Sequence, residues 1–421
     1  MPATKIVSIN SYQHQYCCLN IRNAVAVRVI KKPQFTLYYL SLFDDEIECR
    51  LELFLSVQPD DYWQEKSLAQ AALNMEPTDA IVIIANNQTF SIARGGICNF
   101  PLYWSKNELN SIVISTVLPI DENRTLSIPG LMASIAVVSV AYQNEPNLTL
   151  NSPLYGWTRC RRGAVSIFSK TLGLIAEYPV VFFVPAAEAP KRHDLLDSIT
   201  SAMNNFGQKN SKIGKAVLEL SGGFDSTLAA IAAKRYGVAL QGISVNFPFY
   251  EFRYEEAIQK QVAKELGVNR DQFLGSDFYA YANPDWWPQL DEPATSIIAI
   301  KRDLTMAKYA ADRGIHRLLV GQGGGDQLFS ENMSLPVPEP VSLTRQAFNE
   351  AGWQLFKTEK QKMQPAKKYL QRSMLTYLHD ARLDVVLKES FGTHTRSPFS
   401  DLAVIRCAMS WAALSSQLGG T

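Results

Sequence analysis

The sequence predicts an α/β protein of two domains: a sheet-rich first half, then a half built on a parallel sheet with helices on both faces. Three observations predict it. The chain is 421 residues long, more than one ordinary hydrophobic core organises, and at roughly 150 residues per domain it divides into two. From Ile6 to about Val184 short β-branched and aromatic runs dominate. After Asp194 strand-like and helix-like segments alternate, the pattern of a parallel sheet covered on both sides.

The runs of the first half are VAVRVI, TLYYLSLF, AIVIIA, SIVISTVL, AVSIF and VVFFV, punctuated by NN, RGG and PG. Such runs between turn signals read as strands of a mainly β or layered α/β domain. PAAEAPKRHD, from Pro185 to Asp194, breaks the pattern with prolines and charges, which puts the boundary near 190 and gives domains of 1–190 and 191–421. Beyond it LLDSITSAMNNF reads as a helix, AVLEL as a buried strand, and TLAAIAAKRYG as a helix closing at Gly237. LQGISVNF (strand), YEEAIQKQVAKELGV (helix), AIKRDLTMAKYAADRG (helix) and RLLVG (strand) follow. Past Pro336 the text is mostly helical, in SLTRQAFNEAGWQLFKTEKQ and KKYLQRSMLTYLHDARLDVVLKE, and it ends in the short FGTHTRSPFSDLAVIRCAMSWAAL.

Composition bounds the function. Apolar residues make up 47% and charged residues 19%, which excludes disorder and low complexity. Lys plus Arg (41) balances Asp plus Glu (40), so no global field holds a nucleic-acid backbone or an anionic membrane, and neither is expected as a partner. The six cysteines, Cys17, Cys18, Cys49, Cys98, Cys160 and Cys407, show no CxxC or close Cys/His spacing, which speaks against structural zinc and a disulfide framework and for a reducing cytoplasm. MPATKIVSINSYQ lacks signal-peptide features, and the longest apolar stretches fall short of the roughly 20 residues a bilayer needs. A soluble, cytoplasmic protein is the expectation.

Two loops carry the chemistry. SGGFDS, Ser221 to Ser226, stands at the carboxyl end of the AVLEL strand and opens a helix. Gly222 and Gly223 allow close approach to an anion, Ser221 and Ser226 offer hydroxyls, and a helix amino terminus adds N–H groups and a positive dipole end. The Walker pattern is absent, and Asp225 in an anion site makes sense where Mg²⁺ mediates. The bland alternative is a tight strand-to-helix turn with a capping serine. RLLVG then leads into QGGGDQLF, again glycine-rich, with Asp326 at the end of a parallel strand. Two such loops on one sheet edge would let Asp225 and Asp326 share Mg²⁺ on a triphosphate, so together they point to ATP.

SGGFDS resembles the pyrophosphatase loop of the ATP-pyrophosphatases, and the order SGGFDS, DEPATS (Asp291 to Ser296), GQGGGDQLF and RSPFSD (Arg396 to Asp401) is similar to that of the asparagine synthetase branch. RGGICNFPLYW and LYGWTRCRRGAV resemble segments of that family's glutaminase domain. The resemblance implies an N-terminal glutaminase-like sandwich of the N-terminal-nucleophile type, and a C-terminal PP-loop synthetase domain similar to adenine nucleotide α-hydrolases. It implies ATP contacts from Ser221, Gly222, Gly223, Asp225, Ser226, Val245, Gly321, Gly324 and Gly325, Mg²⁺ on Asp225 and Asp326, and a substrate-side role for Asp291 and Glu292.

Departures sharpen the reading. Family glutaminases use a cysteine freed as first residue, whose α-amine serves as base. This chain begins Met1-Pro2, Cys17 and Cys18 lie too far in, and no NGEIYN-like segment is visible, so a degenerate glutaminase domain kept as scaffold is expected. Cys17 and Cys18 then read as a pair in a half-buried strand. Members lacking the cysteine resemble β-lactam synthetases and the macrolactam cyclases of lasso peptides, and QGGGDQLF is closer to the latter. The resemblance implies that ATP adenylates an internal Asp or Glu carboxylate of a precursor peptide, whose amino terminus closes the isopeptide ring with release of AMP and pyrophosphate. A leader-peptide-binding protein and a leader protease are the implied further partners. A small-molecule amide or β-lactam synthetase, or a silent nucleotide-binding homologue, are the alternatives.

Gly323 stands where the synthetases making asparagine or β-lactams carry a glutamate or tyrosine, and no lysine follows Asp401, where the family often has a catalytic one; either Lys388 or another residue would substitute. YAYANPDWWPQLDEP, Tyr279 to Pro293, reads either as a peptide-gripping wall including Trp286 or as a buried aromatic corner. The lysines of KTEKQKMQPAKKYLQR read as a solvated helix face, and the five histidines show no ligand spacing, with His394 singled out by its place beside RSPFSD.

Overall fold

In the computed structural model the described residues are 9–14, 17–31, 35–42, 80–86, 89–95, 100–106, 111–119, 125–129, 152–161, 164–169, 172–179, 192–247, 254–279, 282, 284, 287–288, 290, 299–322, 349–362 and 381–400. The boundary near 190 and the VVFFV run lie outside them.

The first half holds β1 (Ile9–His14), β2 (Cys17–Arg22), β3 (Ala26–Lys31), β4 (Thr36–Ser41), β5 (Ala80–Ala85) and β6 (Thr89–Arg94). It continues with β7 (Tyr103–Lys106), β8 (Ile112–Ser115), β9 (Trp157–Arg159), β10 (Ala164–Ser169) and β11 (Gly173–Pro179). They form two sheets, β1-β2-β8-β7-β9 and β11-β10-β6-β5-β4-β3, antiparallel except where β2 meets β8. The two sheets share one core: Leu19 and Ile21 of β2 and Ile112 and Ile114 of β8 pack with Tyr38, Leu40, Ile81, Ile83 and Ile92 of the second sheet. Alternate residues of the second sheet (Leu37, Tyr39, Val82, Ile84) are buried on its other face. Burial on both faces explains why AIVIIA is an unbroken apolar run rather than an alternating one.

The second half holds α1 (Arg192–Ser211), β12 (Lys215–Glu219), α2 (Phe224–Arg235), β13 (Ala239–Asn246), α3 (Glu255–Leu266) and β14 (Asn269–Leu274). After these come α4 (Ile300–Ala311), β15 (Arg317–Leu319), α5 (Glu350–Lys362), α6 (Ala381–Phe391) and β16 (His394–Arg396). The strands make a parallel sheet in the order β14-β13-β12-β15-β16. Met203, Phe206, Ala229, Ala233 and Ala263, from α1, α2 and α3, cover one face with Leu218 and Leu319. Leu304, Ala307, Leu383 and Leu387, from α4 and α6, cover the other with Val217 and Ile243. Helices on both faces hide the interior of the sheet, as the alternating pattern predicts, while the edge strand β14 stays largely exposed.

Helix α6 also reaches the first half. Its Val385 joins the core between the two antiparallel sheets, Glu389 lies 3.7 Å from Arg22 of β2, and Lys388 donates a hydrogen bond to the Leu42 carbonyl. Among the described residues no helix is long and apolar enough to cross a membrane.

Candidate nucleotide site at the carboxyl edge of the parallel sheet

From β12 the chain steps outward to β13 and β14, then returns to the other side of β12 as β15 and moves on to β16. The order reverses between β12 and β15, and in an open parallel sheet the crevice beyond the carboxyl ends at such a switch point is where ligands bind. The loops leaving those two strands are SGGFDS and the start of QGGGD.

The first loop is built by its glycines. Gly222 sits at φ +83°, a conformation that glycine adopts without strain, and a Cβ there would lie 3.2 Å from both Gln259 N and Ile258 Cγ2 of α3. Gly223 is the N-cap of α2 and supplies no side-chain cap, so the helix opens with Phe224, Asp225 and Ser226 in its first turn. The helix thus begins three residues before the expected TLAAIAAKRYG segment, and half of the motif is helical. The hydroxyls of Ser221 and Ser226 are 3.0 Å apart, Ser226 Oγ donates to Gly223 O (3.2 Å), and Gly223 N donates to Ser221 Oγ (3.2 Å). Behind the loop, Ser244 Oγ donates to Leu220 O at 2.6 Å. Ser221 and Gly223 are exposed, Asp225 and Val245 half-buried, and Ser226 is buried.

The second loop comes against the first. A Cβ on Gly321 would lie 2.3 Å from Ser226 N and 2.7 Å from Asp225 C, a separation no side chain tolerates. The loop is held there by the late motif: Val320 N donates to Arg396 O (3.0 Å), and Ser397 Oγ donates to Gln322 O (2.7 Å). Ser221, Gly222, Gly223, Asp225, Ser226, Val245 and Gly321 therefore gather on one edge. Gly323, Gly324, Gly325 and Asp326 lie outside the described residues, as do Trp286, Asp291 and Glu292. Described positions between 282 and 290 take neither helix nor strand, and Trp287 is half exposed. Glycine contacts this close and a helix entered without a side-chain cap fit a polyphosphate; Asp225 beside them fits a cation bridging it.

Residues 214–414 match the asparagine synthase family. The asparagine synthase segment starts one residue before β12 and takes in every strand of the parallel sheet and both loops. Among solved structures, the U34-tRNA thiolase NcsA of Methanococcus maripaludis, with its 4Fe-4S cluster, aligns at 15% identity and TM-score 0.26 over 55% of this chain and 82% of its own. The glutamine-dependent NAD+ synthetase of Acinetobacter baumannii, in complex with ADP, aligns at 18% identity and TM-score 0.24 over 43% of this chain and 33% of its own. No curated protein matches the chain.

Four residues singled out in the sequence fall away from this edge. Lys388 is tied to Leu42, near the end of α6 that feeds the amino terminus of β16. His394, the first residue of β16, accepts from buried Arg317 at that same amino edge. Cys17 and Cys18 lie in β2, as read, with Cys17 buried and Cys18 partly so. Burial, and the neighbouring Cys18, push the Cys17 thiol up from 9.0 to about 12, the reverse of what a thiolate nucleophile needs. The sequence reading missed Gln259 as a support of the first loop; Ser397, which ties the start of the second, lies in the RSPFSD motif already singled out. Gln259 had a signal: it heads the stripe completed by Val262, Ala263 and Leu266, where an apolar residue is expected.

Proposed function

We propose that the chain is an ATP-dependent amide ligase that forms AMP. The observation that carries this reading is the contact of Gly321 with Asp225 and Ser226, which sets the SGGFDS loop against the start of the segment that leads in sequence to Asp326, at the switch point of the sheet. In the reaction a carboxylate oxygen attacks the α-phosphorus of ATP and the bond to pyrophosphate breaks. An amine nitrogen then attacks the acyl carbon of the adenylate, the bond to AMP breaks, and the amine gives up a proton. The first-turn amides of α2 and the Ser221 and Ser226 hydroxyls would bind the phosphates, and Asp225 and Asp326 would hold Mg²⁺, which when bound offsets charge on the leaving pyrophosphate.

The finer proposal is that acid and amine belong to one precursor peptide, making the product a macrolactam. Its support is the likeness of QGGGDQLF to lasso cyclases together with the Cys17 and Cys18 thiols, both pushed up by burial and so poorly suited as a glutaminase nucleophile to supply ammonia. Binding both groups in one pocket would supply a proximity advantage of up to about 7–11 kcal/mol. Exchange of labelled pyrophosphate into ATP tests both levels. Exchange that requires a peptide and is lost in Asp225→Ala is the expected result. Exchange with a small amino acid instead would select the small-molecule synthetase, and ATP binding without exchange for any acid would leave a silent homologue.

A further inference from the structure

We propose that Gln259, locked in place by Arg270, is a positioning residue that sets the SGGFDS loop against the end of β13 and thereby tunes nucleotide affinity; the second part rests on the ATP reading above. Gln259 is only 1% exposed although it is polar and mid-helix. Its Nε2 lies 3.3 Å from Ser221 O and 3.4 Å from Val245 O, and its two amide hydrogens serve one carbonyl each. Its Oε1 accepts from Arg270 Nη1 at 2.8 Å, while Arg270 Nη2 donates to Gln272 Oε1 at 3.1 Å.

The orientation of that amide is not free. A guanidinium has donors only and stays charged at any working pH, so the side of Gln259 facing Arg270 must be its oxygen. The amide nitrogen must then face the two carbonyls. One side chain thus ties the last residue before Gly222 to the end of the neighbouring strand. A trans peptide points its C=O and N–H in opposite directions, so holding Ser221 O toward α3 turns the Gly222 N–H away from that helix, as an anion-binding amide requires. Gly222 lies against Gln259 itself, where a Cβ would be 3.2 Å from Gln259 N. One turn earlier Glu256 accepts from Asn246 Nδ2 at 2.9 Å, so α3 meets the end of β13 at two points.

The test uses the full chain with Gln259→Glu and Arg270→Lys. The glutamate keeps an acceptor for Arg270 but turns a carboxylate toward two carbonyl oxygens; the lysine keeps one donor for Gln259 and serves as the conservative variant. Amide hydrogen exchange of the 217–226 segment without nucleotide reads the positioning directly, and the ATP dependence of pyrophosphate exchange reads its consequence. Gln259→Glu is expected to speed exchange in that segment alone and to raise KM for ATP by about tenfold, the worth of one or two hydrogen bonds, with kcat at saturating ATP close to wild type. Arg270→Lys is expected to fall between. Unchanged segment exchange in Gln259→Glu would overturn the positioning role, as would a drop in kcat with KM unmoved. A wild-type chain that neither binds nor uses ATP would overturn the nucleotide reading instead, while the exchange comparison still decides whether Gln259 positions the loop.

Discussion

The two edges of the parallel sheet handle polar side chains in opposite ways. At the amino edge Arg317, the first residue of β15, is 1% exposed, and its donors are taken up inside the protein. Its Nε donates to His394 Nε2 (3.2 Å) and its Nη1 to Asn210 Oδ1 (2.9 Å), while Asn210 Nδ2 donates to Phe206 O (2.7 Å). At the carboxyl edge Ser221 and Gly223 face solvent, and the closest contacts there are between backbones. One sheet is therefore sealed at one end by side chains that satisfy each other and left open at the other by residues with almost no side chain. The lesson is that the architecture is secured where no ligand goes, and the chemistry sits where packing is least demanding.

The sharpest way to break this contrast is to put a methyl group where the two loops meet. Gly321→Ala forces a Cβ to within 2.3 Å of Ser226 N, so either strand end must move by about an ångström, a displacement that can cost on the order of 100-fold in rate. Pyrophosphate exchange, read where the variant is folded, is expected to fall by about that factor, alongside a stability loss of about 1–3 kcal/mol from the forced backbone shift. A variant with wild-type exchange would show that the loops do not need to meet.

The amino edge should answer in stability alone. Arg317→Met leaves His394 Nε2 and Asn210 Oδ1 buried without their donor, and the expected loss is about 3 kcal/mol of stability in urea unfolding. KM for ATP should stay at its wild-type value at temperatures where the variant is folded. A variant that keeps its stability but loses ATP affinity would reverse the assignment of the two edges.

The same contrast decides what could be read from the sequence. Strands β12, β13 and β15 are legible because they are interior and apolar, and the SGGFDS loop because its glycines have a stated steric purpose. Strand β14, NRDQFL, is not: it lies on the sheet edge with four of its six positions exposed or polar-facing, and a strand buried on one side only by a few atoms leaves no alternation to find. Strand β16 is three residues, HTR, too short for any period. The start of α2 is not legible because a hydrophobic pattern marks the packed turns of a helix and not the first turn that Asp225 and Ser226 occupy. Gln259 was visible only as an anomaly, a polar residue on an apolar stripe. Its meaning depends on Ser221, Val245 and Arg270, which come together only in the fold.

The smallest expected effect tests how far the carboxyl edge depends on charge at its surface. Lys260 and Glu256 pair across one turn of α3 at 2.6 Å, with the lysine 63% exposed, and exposed pairs of this kind add little to stability. The Glu256 carboxyl lies below its ordinary 4.5, chiefly through the hydrogen bond from Lys260, with Asn246 contributing. A lowered folded-state pKa means that the pair's contribution is fully present above pH 4.5 and is lost as the pH falls through the folded value. Lys260→Ala is therefore expected to lower the melting temperature slightly at pH 7, by a margin that shrinks as the pH falls through the folded value, with pyrophosphate exchange unchanged. A larger loss at pH 7, accompanied by faster amide exchange in the 217–226 segment, would mean that Glu256 holds Asn246 only when Lys260 steadies it, and that the open edge is braced from outside as well as by Gln259.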